Sequence, residues 1–395
     1  MTTLLDTTTI NLDTSTELEA CDSFDDMGLS DELLRGIYAN GFEKPSAIQA
    51  KAIKPLITGQ DIIAQAQSGT GKTGTFLIGS LQRVNLELIK PQVIVLAPNR
   101  ELAIQIHTVM ESLNNFLKIK SALLIGGTTI NNNFKLLDEG VQFIVGTPGR
   151  VYDMIKRYAL KTNDIKSFIL DEADEMLSRG FKDQIYEIFQ YIPKETQIGI
   201  FSATLPPQAL EVTEKFMNNP LKILVQKEEL TLEGIQQYYL GLEQESWKIA
   251  TLIDLYDKLS ISQSIIFANS KRKAEYIKEQ LMLEGHVVHY IHGEMTQEDR
   301  NSVMEKFRGG QIRILISTDI IARGIDIQQV SIVINYDIPK YREVYIHRIG
   351  RSGRYGRKGT AINFVTDKEY QHLREIMEFY QTNIEPLPDN IKDLL

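Results

Sequence analysis

The most constraining feature of this chain is a short glycine-containing segment, Ala66-Gln67-Ser68-Gly69-Thr70-Gly71-Lys72-Thr73. It follows an apolar run and precedes residues that favour a helix, which is the strand, loop, helix order of a phosphate-binding loop. Glycines let backbone N–H groups turn toward phosphate oxygens, and the following helix adds its positive N-terminal end. A glycine-rich turn with no ligand is the alternative. We expect Lys72 to contact the β- and γ-phosphates and the Thr73 hydroxyl to bind Mg²⁺, with the nucleotide held by Ser68, Gly69, Thr70, Gly71, Lys72 and Thr73.

Length and composition are those of an ordinary globular chain with room for two domains. The chain has 395 residues, of which 43% are hydrophobic, and Cys21 is the only cysteine. An internal disulfide and a cysteine-rich metal site are therefore excluded. The sequence contains no apolar run of the roughly 20 residues that span a bilayer and no signal-peptide pattern. These features predict a cytoplasmic or nuclear protein without a membrane partner.

The formal net charge of −9 is unusual for a protein that binds a polyanion. Residues 1–26 contain seven acidic side chains and no Lys or Arg, which leaves 45 acidic against 43 basic residues, or −2, in the rest of the chain. A site for nucleic acid must then be a local concentration of Arg and backbone N–H groups rather than a broadly basic surface.

The order of apolar runs predicts two α/β domains, one over residues 23–224 and one over 237–395. Within each, short apolar runs without polar alternation predict strands buried on both faces, and hence a parallel sheet between helices. The first series of strands is expected to end at Pro220. Residues 225–236 are charged and glycine-containing, which predicts a flexible linker. Residues 1–22 lack aromatic side chains and are predicted to be a disordered acidic tail.

Ligands of open parallel sheets lie beyond the carboxyl ends of the strands, so polar residues that follow apolar runs are candidates for chemistry. Asp171, Glu172 and Asp174 follow one such run. We assign Asp171 to hydrated Mg²⁺ and Glu172 to the attacking water. An acidic helix start is the alternative. Ser202 and Thr204 follow another run, and each alone is better interpreted as a turn or cap residue.

Taken together and in this order, the loop at 66–73, Asp171-Glu172-Ala173-Asp174 and Ser202-Ala203-Thr204 resemble the motifs of the DEAD-box RNA helicases. The resemblance covers the chain from Phe24 to its C-terminus. It implies two RecA-like domains, with ATP and Mg²⁺ between them and single-stranded or short-duplex RNA across both. It also implies that Gln49 hydrogen-bonds the adenine and that Phe42 stacks on it, with a helix-capping turn as the alternative.

The same resemblance assigns further residues. Asp326 is implied in ribose recognition, Arg351 and Arg354 as arginine fingers on the γ-phosphate, and His347 in coupling to the first domain. Asn99 stands where the family pattern has Thr, so the phosphate contact at that position stays open. The residues implied in RNA binding are Pro98, Arg100, Gly126, Gly127, Thr147, Arg150, Asn269, Arg300 and Thr318.

Within the family, the chain is most similar to the translation-initiation helicases of the four-A type and their exon-junction relatives. The similarity includes residues 227–234, 354–359 and 390–395. It implies RNA-dependent ATP hydrolysis with local unwinding of short duplexes, in translation initiation or mRNA metabolism, by a monomer with a helical-repeat scaffold protein as partner. An RNA clamp with little unwinding is the alternative, and a P-loop ATPase acting on DNA or protein is a more distant one.

Overall fold

The computed structural model describes residues 20–66, 70–178, 181–205, 211, 215–224, 235–259, 261, 263–319, 330–352, 359–380 and 382–388. Within these ranges the chain forms two α/β domains, each built on a seven-stranded sheet. Most of the predicted tail and of the predicted linker lies outside the described ranges. No helix in the described part of the chain is both long and apolar enough to cross a membrane.

The first domain opens with a 3₁₀ helix at Phe24–Met27. Its strands are β1 (Ile62–Gln65), β2 (Val93–Leu96), β3 (Ser121–Leu124), β4 (Phe143–Gly146), β5 (Ser167–Asp171), β6 (Gln197–Ser202) and β7 (Leu221–Leu224). Its helices are α1 (Asp31–Ala39), α2 (Ala47–Thr58), α3 (Lys72–Gln82), α4 (Arg100–Leu113), α5 (Ile130–Asp138), α6 (Pro148–Lys156), α7 (Ala173–Ser178) and α8 (Lys182–Tyr191). The strand order is β3-β4-β2-β5-β6-β1-β7, and all neighbouring pairs are parallel. The segments that follow β1, β5 and β6 therefore meet at one edge of the sheet.

The second domain repeats this arrangement. Its strands are β8 (Ile235–Leu242), β9 (Ser264–Phe267), β10 (Val288–Ile291), β11 (Ile314–Ser317), β12 (Ile332–Asn335), β13 (Gly359–Thr366) and β14 (Glu385–Pro386). Its helices are α9 (Trp247–Lys258), α10 (Lys271–Leu283), α11 (Gln297–Arg308), α12 (Arg342–Ile349) and α13 (Tyr370–Tyr380). The parallel order β10-β11-β9-β12-β13-β8-β14 equals that of the first sheet when each is counted from its own first strand.

The central strands are buried on both faces, as their continuous apolar sequences predict. In β2, Val93 and Val95 join one apolar cluster while Ile94 and Leu96 join another on the opposite face. This alternation places a core on each side of the sheet, with helices covering both. The predicted fold class is confirmed.

Three boundaries differ from the sequence expectations. The first series of strands does not end at Pro220, because β7 follows directly and pairs with β1. A proline that directly precedes a strand removes no hydrogen bond between strands, so it does not prevent another strand from following. The strand β8 starts at Ile235, inside the predicted linker. Cys21, inside the predicted tail, is buried in the first core, and its N–H donates to the carbonyl of Ala50 at 3.1 Å.

Candidate active site and RNA groove

The predicted phosphate loop joins β1 directly to α3. The N–H of Ala66 donates to the carbonyl of Ser202 at 3.0 Å, which extends the β1 and β6 pairing by one residue. Gly71 has a φ of 101°, a left-handed value that favours glycine. Lys72 is buried, and its ammonium donates to the Ala66 carbonyl at 2.9 Å and lies 3.7 Å from Oε1 of Glu172. Residues 67–69, which include the predicted Ser68 and Gly69, lie outside the described ranges.

Asp171 and Glu172 form a buried acidic pair at the end of β5. Burial, and then the neighbouring charge of Glu172, raise the pKa of Asp171 to about 7. Glu172 has a φ of 52°, which is uncommon for a residue other than glycine. Carboxylate oxygens crowded in this way, together with the Thr73 hydroxyl in the first turn of α3, are the hard ligands that suit Mg²⁺. The donor set therefore fits the predicted metal.

Asp174 connects both domains. Its N–H donates to Oγ of Ser202 at 3.3 Å, and the Thr204 hydroxyl donates to its Oδ2 at 2.5 Å. Nε2 of His347 lies 3.4 Å from the same Oδ2, and Nδ1 of His347 lies 3.9 Å from Oε2 of Glu172. His347 belongs to α12 and is fully buried, so a side chain of the second domain enters the acidic cluster of the first. Ser202 and Thr204 hold this cluster rather than acting only as turn residues.

Phe42 and Gln49 lie beside the same loop. A Cβ added to Gly74 would meet Nε2 of Gln49 at 2.8 Å and Cε1 of Phe42 at 3.2 Å, so α3 has glycine where these side chains approach. Oε1 of Gln49 accepts from the N–H of Ser46 at 2.8 Å, and its Nε2 donates to the carbonyl of Gly71 at 3.4 Å. The capping contact and the position beside the loop, which the sequence offered as alternatives, coexist in one side chain.

A groove of about 520 Å³ lies between the domains. Nη1 of Arg300 in α11 lies 2.6 Å from Oε1 of Glu101 in α4, and both side chains are buried. This burial lowers the pKa of Arg300. Neither Glu101 nor Phe181, which also lines the groove, was singled out from the sequence. The residues that line it are Pro98, Asn99, Arg100, Glu101, Gly126, Thr147, Gly149, Arg150, Asp153, Phe181, Gly293 and Arg300.

Two further arginines are held on the first-domain wall of this groove. A Cβ added to Gly127 would meet Nη1 of Arg100 at 2.5 Å, and Gly126 is similarly close, so the predicted glycines admit this guanidinium. Arg150 donates to the hydroxyl and the carbonyl of Thr128, each at 3.0 Å, and to the side chain of Asn133. Burial lowers the pKa of Arg150, although a guanidinium stays charged under all ordinary conditions.

In the second domain, the predicted RNA residue Asn269 is engaged internally. Its Nδ2 donates to the carbonyl of Ile338 at 2.8 Å, and its Oδ1 accepts from Nη2 of Arg348 at 2.7 Å. Arg348 is fully buried and also donates to Asp319 and to the carbonyl of Asp337, each at 2.7 Å. Asn269 and Arg348 thus hold together the segments that follow β9, β11 and β12. Arg348 is a residue that sequence reasoning missed, although it directly follows His347.

The remaining predicted residues of this domain fall into two groups. Arg351 is buried one turn beyond His347, and its Nε donates to the His347 carbonyl at 3.2 Å. Thr318 is half-buried directly after β11. Asp326 and Arg354 lie outside the described ranges.

A separate ionic cluster in the second domain centres on Lys248 near the start of α9. The fully buried ammonium lies 3.0 Å from Glu245, 3.0 Å from Glu369 and 3.6 Å from Asp337. Lys273 lies 2.6 Å from the same Asp337 carboxylate. The cluster ties α9 to the segment after β12, and nothing in the sequence pattern indicated it.

Comparisons with known proteins agree with this geometry. Two family models match the chain: DEAD/DEAH box helicase over residues 46–212 and helicase conserved C-terminal domain over residues 247–356. Eukaryotic initiation factor 4A of Drosophila melanogaster is 55% identical over 381 residues, which cover 96% of this chain and 94% of that protein. Eukaryotic initiation factor 4A-3 of Arabidopsis thaliana is 54% identical over 377 residues, covering 95% and 91%.

Solved structures resemble both the fold and the arrangement of the two domains. S. cerevisiae Dbp5 bound to RNA and ADP BeF3 aligns with a TM-score of 0.87 at 40% identity, covering 93% of this chain and 95% of that chain. A variant of the same yeast protein bound to Gle1 and IP6 aligns at the same identity with a TM-score of 0.77, covering 94% and 96%. The domains are therefore arranged more as in the RNA-bound chain.

Two RecA-like domains, with a phosphate loop on one and a histidine from the other in its acidic cluster, define a two-domain P-loop ATPase. The fold alone does not identify the substrate, whereas membership of a family does. The chain belongs to the DEAD-box helicase family, with initiation factor 4A as its relative over nearly its whole length, and is an ATP-dependent RNA helicase.

Proposed function

We propose that this helicase separates short RNA duplexes locally, in translation initiation, by closing its two domains around ATP and one RNA strand. The observation that carries the proposal is the contact of His347 with Asp174 and Glu172, because it joins the domains inside the acidic cluster. The pair of Arg300 with Glu101 joins them again at the groove. Each ligand would therefore favour the same closed arrangement, which makes ATP and RNA binding cooperative.

On the nucleotide side, Lys72 would neutralise the β- and γ-phosphates, and Glu172 would orient the attacking water. Thr73 and Asp171 would hold Mg²⁺, which when bound offsets the charge of the phosphates. Arg351, one turn beyond His347, would approach the γ-phosphate only when the second domain is in place. Hydrolysis would remove the γ-phosphate contact and allow the domains to separate.

On the RNA side, Arg100 and Arg150 would contact phosphates from the wall of the groove, with the glycine backbone at 126–127 admitting close approach. Contacts of this kind position a nucleic acid without reading its bases. Binding would depend on backbone geometry and 2′-hydroxyls, with low sequence preference and strong salt dependence.

The test is strand displacement from short RNA and DNA duplexes, with ATP or a non-hydrolysable analogue. We expect displacement of the RNA duplex with ATP, and its loss in His347→Ala. His372→Ala, on α13 and away from the acidic cluster, serves as the matched control. An RNA complex that persists with either nucleotide, without displacement, would favour the clamp. Equal displacement of DNA would overturn the RNA assignment.

We also infer that the protein works in the cytoplasm as a monomer with a helical-repeat scaffold protein. The similarity to initiation factor 4A supports this role, and the Gle1-bound yeast relative is an example of a helicase of this fold with a protein partner. Stimulation of RNA-dependent ATP turnover by a scaffold fragment, with complex formation measured by sedimentation, tests the inference. Absence of both effects would count against it.

A further inference from the structure

Phe181 lies in the groove, and none of the motifs identified in the sequence includes it. Its side chain is half-buried and packs partly against the apolar cluster on one face of the first sheet. The rest of it lines the groove with Arg100 and Arg150. Among the groove-lining residues that the structure describes, it is the sole aromatic one.

Phe181 lies at the start of α8, where its backbone angles are already helical (φ −97°, ψ −1°). It is the N-cap residue, and its carbonyl accepts from the N–H of Ile185 at 3.0 Å. Ser, Thr, Asp and Asn are preferred at an N-cap because their side chains accept a further backbone N–H, and a phenyl ring cannot. No side-chain capping bond is formed here. The ring therefore contributes nothing to the capping of α8, and its contacts are with the apolar cluster and the groove.

We propose that Phe181 stacks on a nucleobase of the bound RNA. Arg100 and Arg150 supply charge for phosphates on the same wall, and an aromatic face beside them supplies the stacking surface that every base can use. The contact adds affinity without reading a base edge. Purines overlap a phenyl ring more than pyrimidines do, which gives a modest purine preference at one position. The inference rests on the proposed role of the groove in RNA binding.

The first experiment compares Phe181→Leu with Phe181→Tyr by titration of single-stranded RNA in the presence of a non-hydrolysable ATP analogue. Leucine keeps apolar packing but removes the stacking face, so we expect RNA affinity to fall about tenfold, in the range measured for base–aromatic stacking. Tyrosine keeps the face and should bind as the native chain does. Tyr191→Leu, a change of a 43% exposed aromatic side chain at the other end of α8, is the matched control. Thermal unfolding checks that each variant is folded.

The second experiment repeats the titration with RNAs that lack one base at successive positions. In the native protein, removal of the base at one position should lower RNA affinity about tenfold. In Phe181→Leu the same removal should have no further effect, because both changes remove the same contact. Equal losses in both proteins, or native affinity of Phe181→Leu, would reject the stacking. If Arg100→Ala also left RNA affinity unchanged, the groove itself would not be the RNA site. Weakened binding by Arg100→Ala alone would reject only the inference about Phe181.

Discussion

The ion pair between Glu101 and Arg300 provides a direct test of domain closure. The two side chains are 7% and 5% exposed, and the Oε1 to Nη1 distance is 2.6 Å. Removing one partner of a buried pair costs about 3–5 kcal/mol, whereas an exposed pair is worth at most about 1 kcal/mol. For a pair at the edge of a groove we expect the cost of removing one partner to lie between these two values, at about 2 kcal/mol. Because the partners lie on different domains, this cost applies to the closed form alone. Glu101→Gln should therefore weaken RNA binding in the presence of a non-hydrolysable ATP analogue by about 30-fold.

The direction of the change is what makes this test decisive. Glu101 is an acid beside an RNA groove, so if it did no more than repel phosphates, removing its charge would strengthen RNA binding. The assay is titration of labelled single-stranded RNA with and without the analogue, for Glu101→Gln, Arg300→Met and the double variant. The two changes should be non-additive only with the analogue present. Glu139→Gln, a change of an exposed acid in the same domain, is the control. Tighter RNA binding by Glu101→Gln, or additive effects in the analogue-bound state, would refute the closure contact.

Three further outcomes follow from the described contacts. Lys72→Ala should lose productive ATP binding, because its ammonium is the positive charge that lies at the phosphate loop. Nucleotide titration checks this, and near-normal ATP turnover would mean that the loop is structural. Arg348→Met should lower the unfolding temperature markedly, since it leaves several buried acceptors unpaired at about 1–3 kcal/mol each, and an unchanged melting curve would contradict its role in holding the domain. Deletion of residues 1–20 should leave RNA-stimulated ATP turnover within about twofold, since distant surface charge is screened. Deletion of residues 1–27 also removes the fully buried Phe24 and should destabilise the chain. Equal melting temperatures of the two truncated proteins would show that the packing of Phe24 is dispensable.

The site could be predicted from the sequence wherever chemistry follows an apolar strand. Asp171 ends β5 and Lys72 begins the helix after β1. The apolar sequences of both strands already indicate a parallel sheet, so the proximity of the two residues follows from topology. The fold class follows from the same runs. Strands near the edge of a sheet, such as β8, are harder to predict. The sequence of β8 mixes Gln and Tyr with aliphatic residues because much of that strand is only partly buried, and this hides its period.

Residues that act through tertiary contacts could not be found from local pattern. Glu101 is indistinguishable in sequence from an acid that stabilises a helix N-terminus, and its pairing with Arg300 exists only because two domains meet. Lys248 has the sequence context of an ordinary surface lysine, yet carboxylates from distant segments bury it. Phe181 carries no signal except that it is a poor N-cap. Each becomes informative only when the packing around it is known.

The shared strand order of the two sheets gives Lys72 and the carboxylate it faces a counterpart in the other half of the chain. Lys72 begins the helix after β1 and faces the carboxylate that follows β5; Lys248 lies near the start of the helix after β8 and faces Asp337, which follows β12. Residues 243–246, which connect β8 to α9, contain no glycine. Glu245 of this segment forms an ion pair with the ammonium of Lys248. In the second domain a carboxylate of the chain itself thus lies at the position where we expect a phosphate in the first domain. Although the strand order is duplicated, we expect a single nucleotide site within the part of the chain that the structure describes, so ATP titration should saturate at one equivalent.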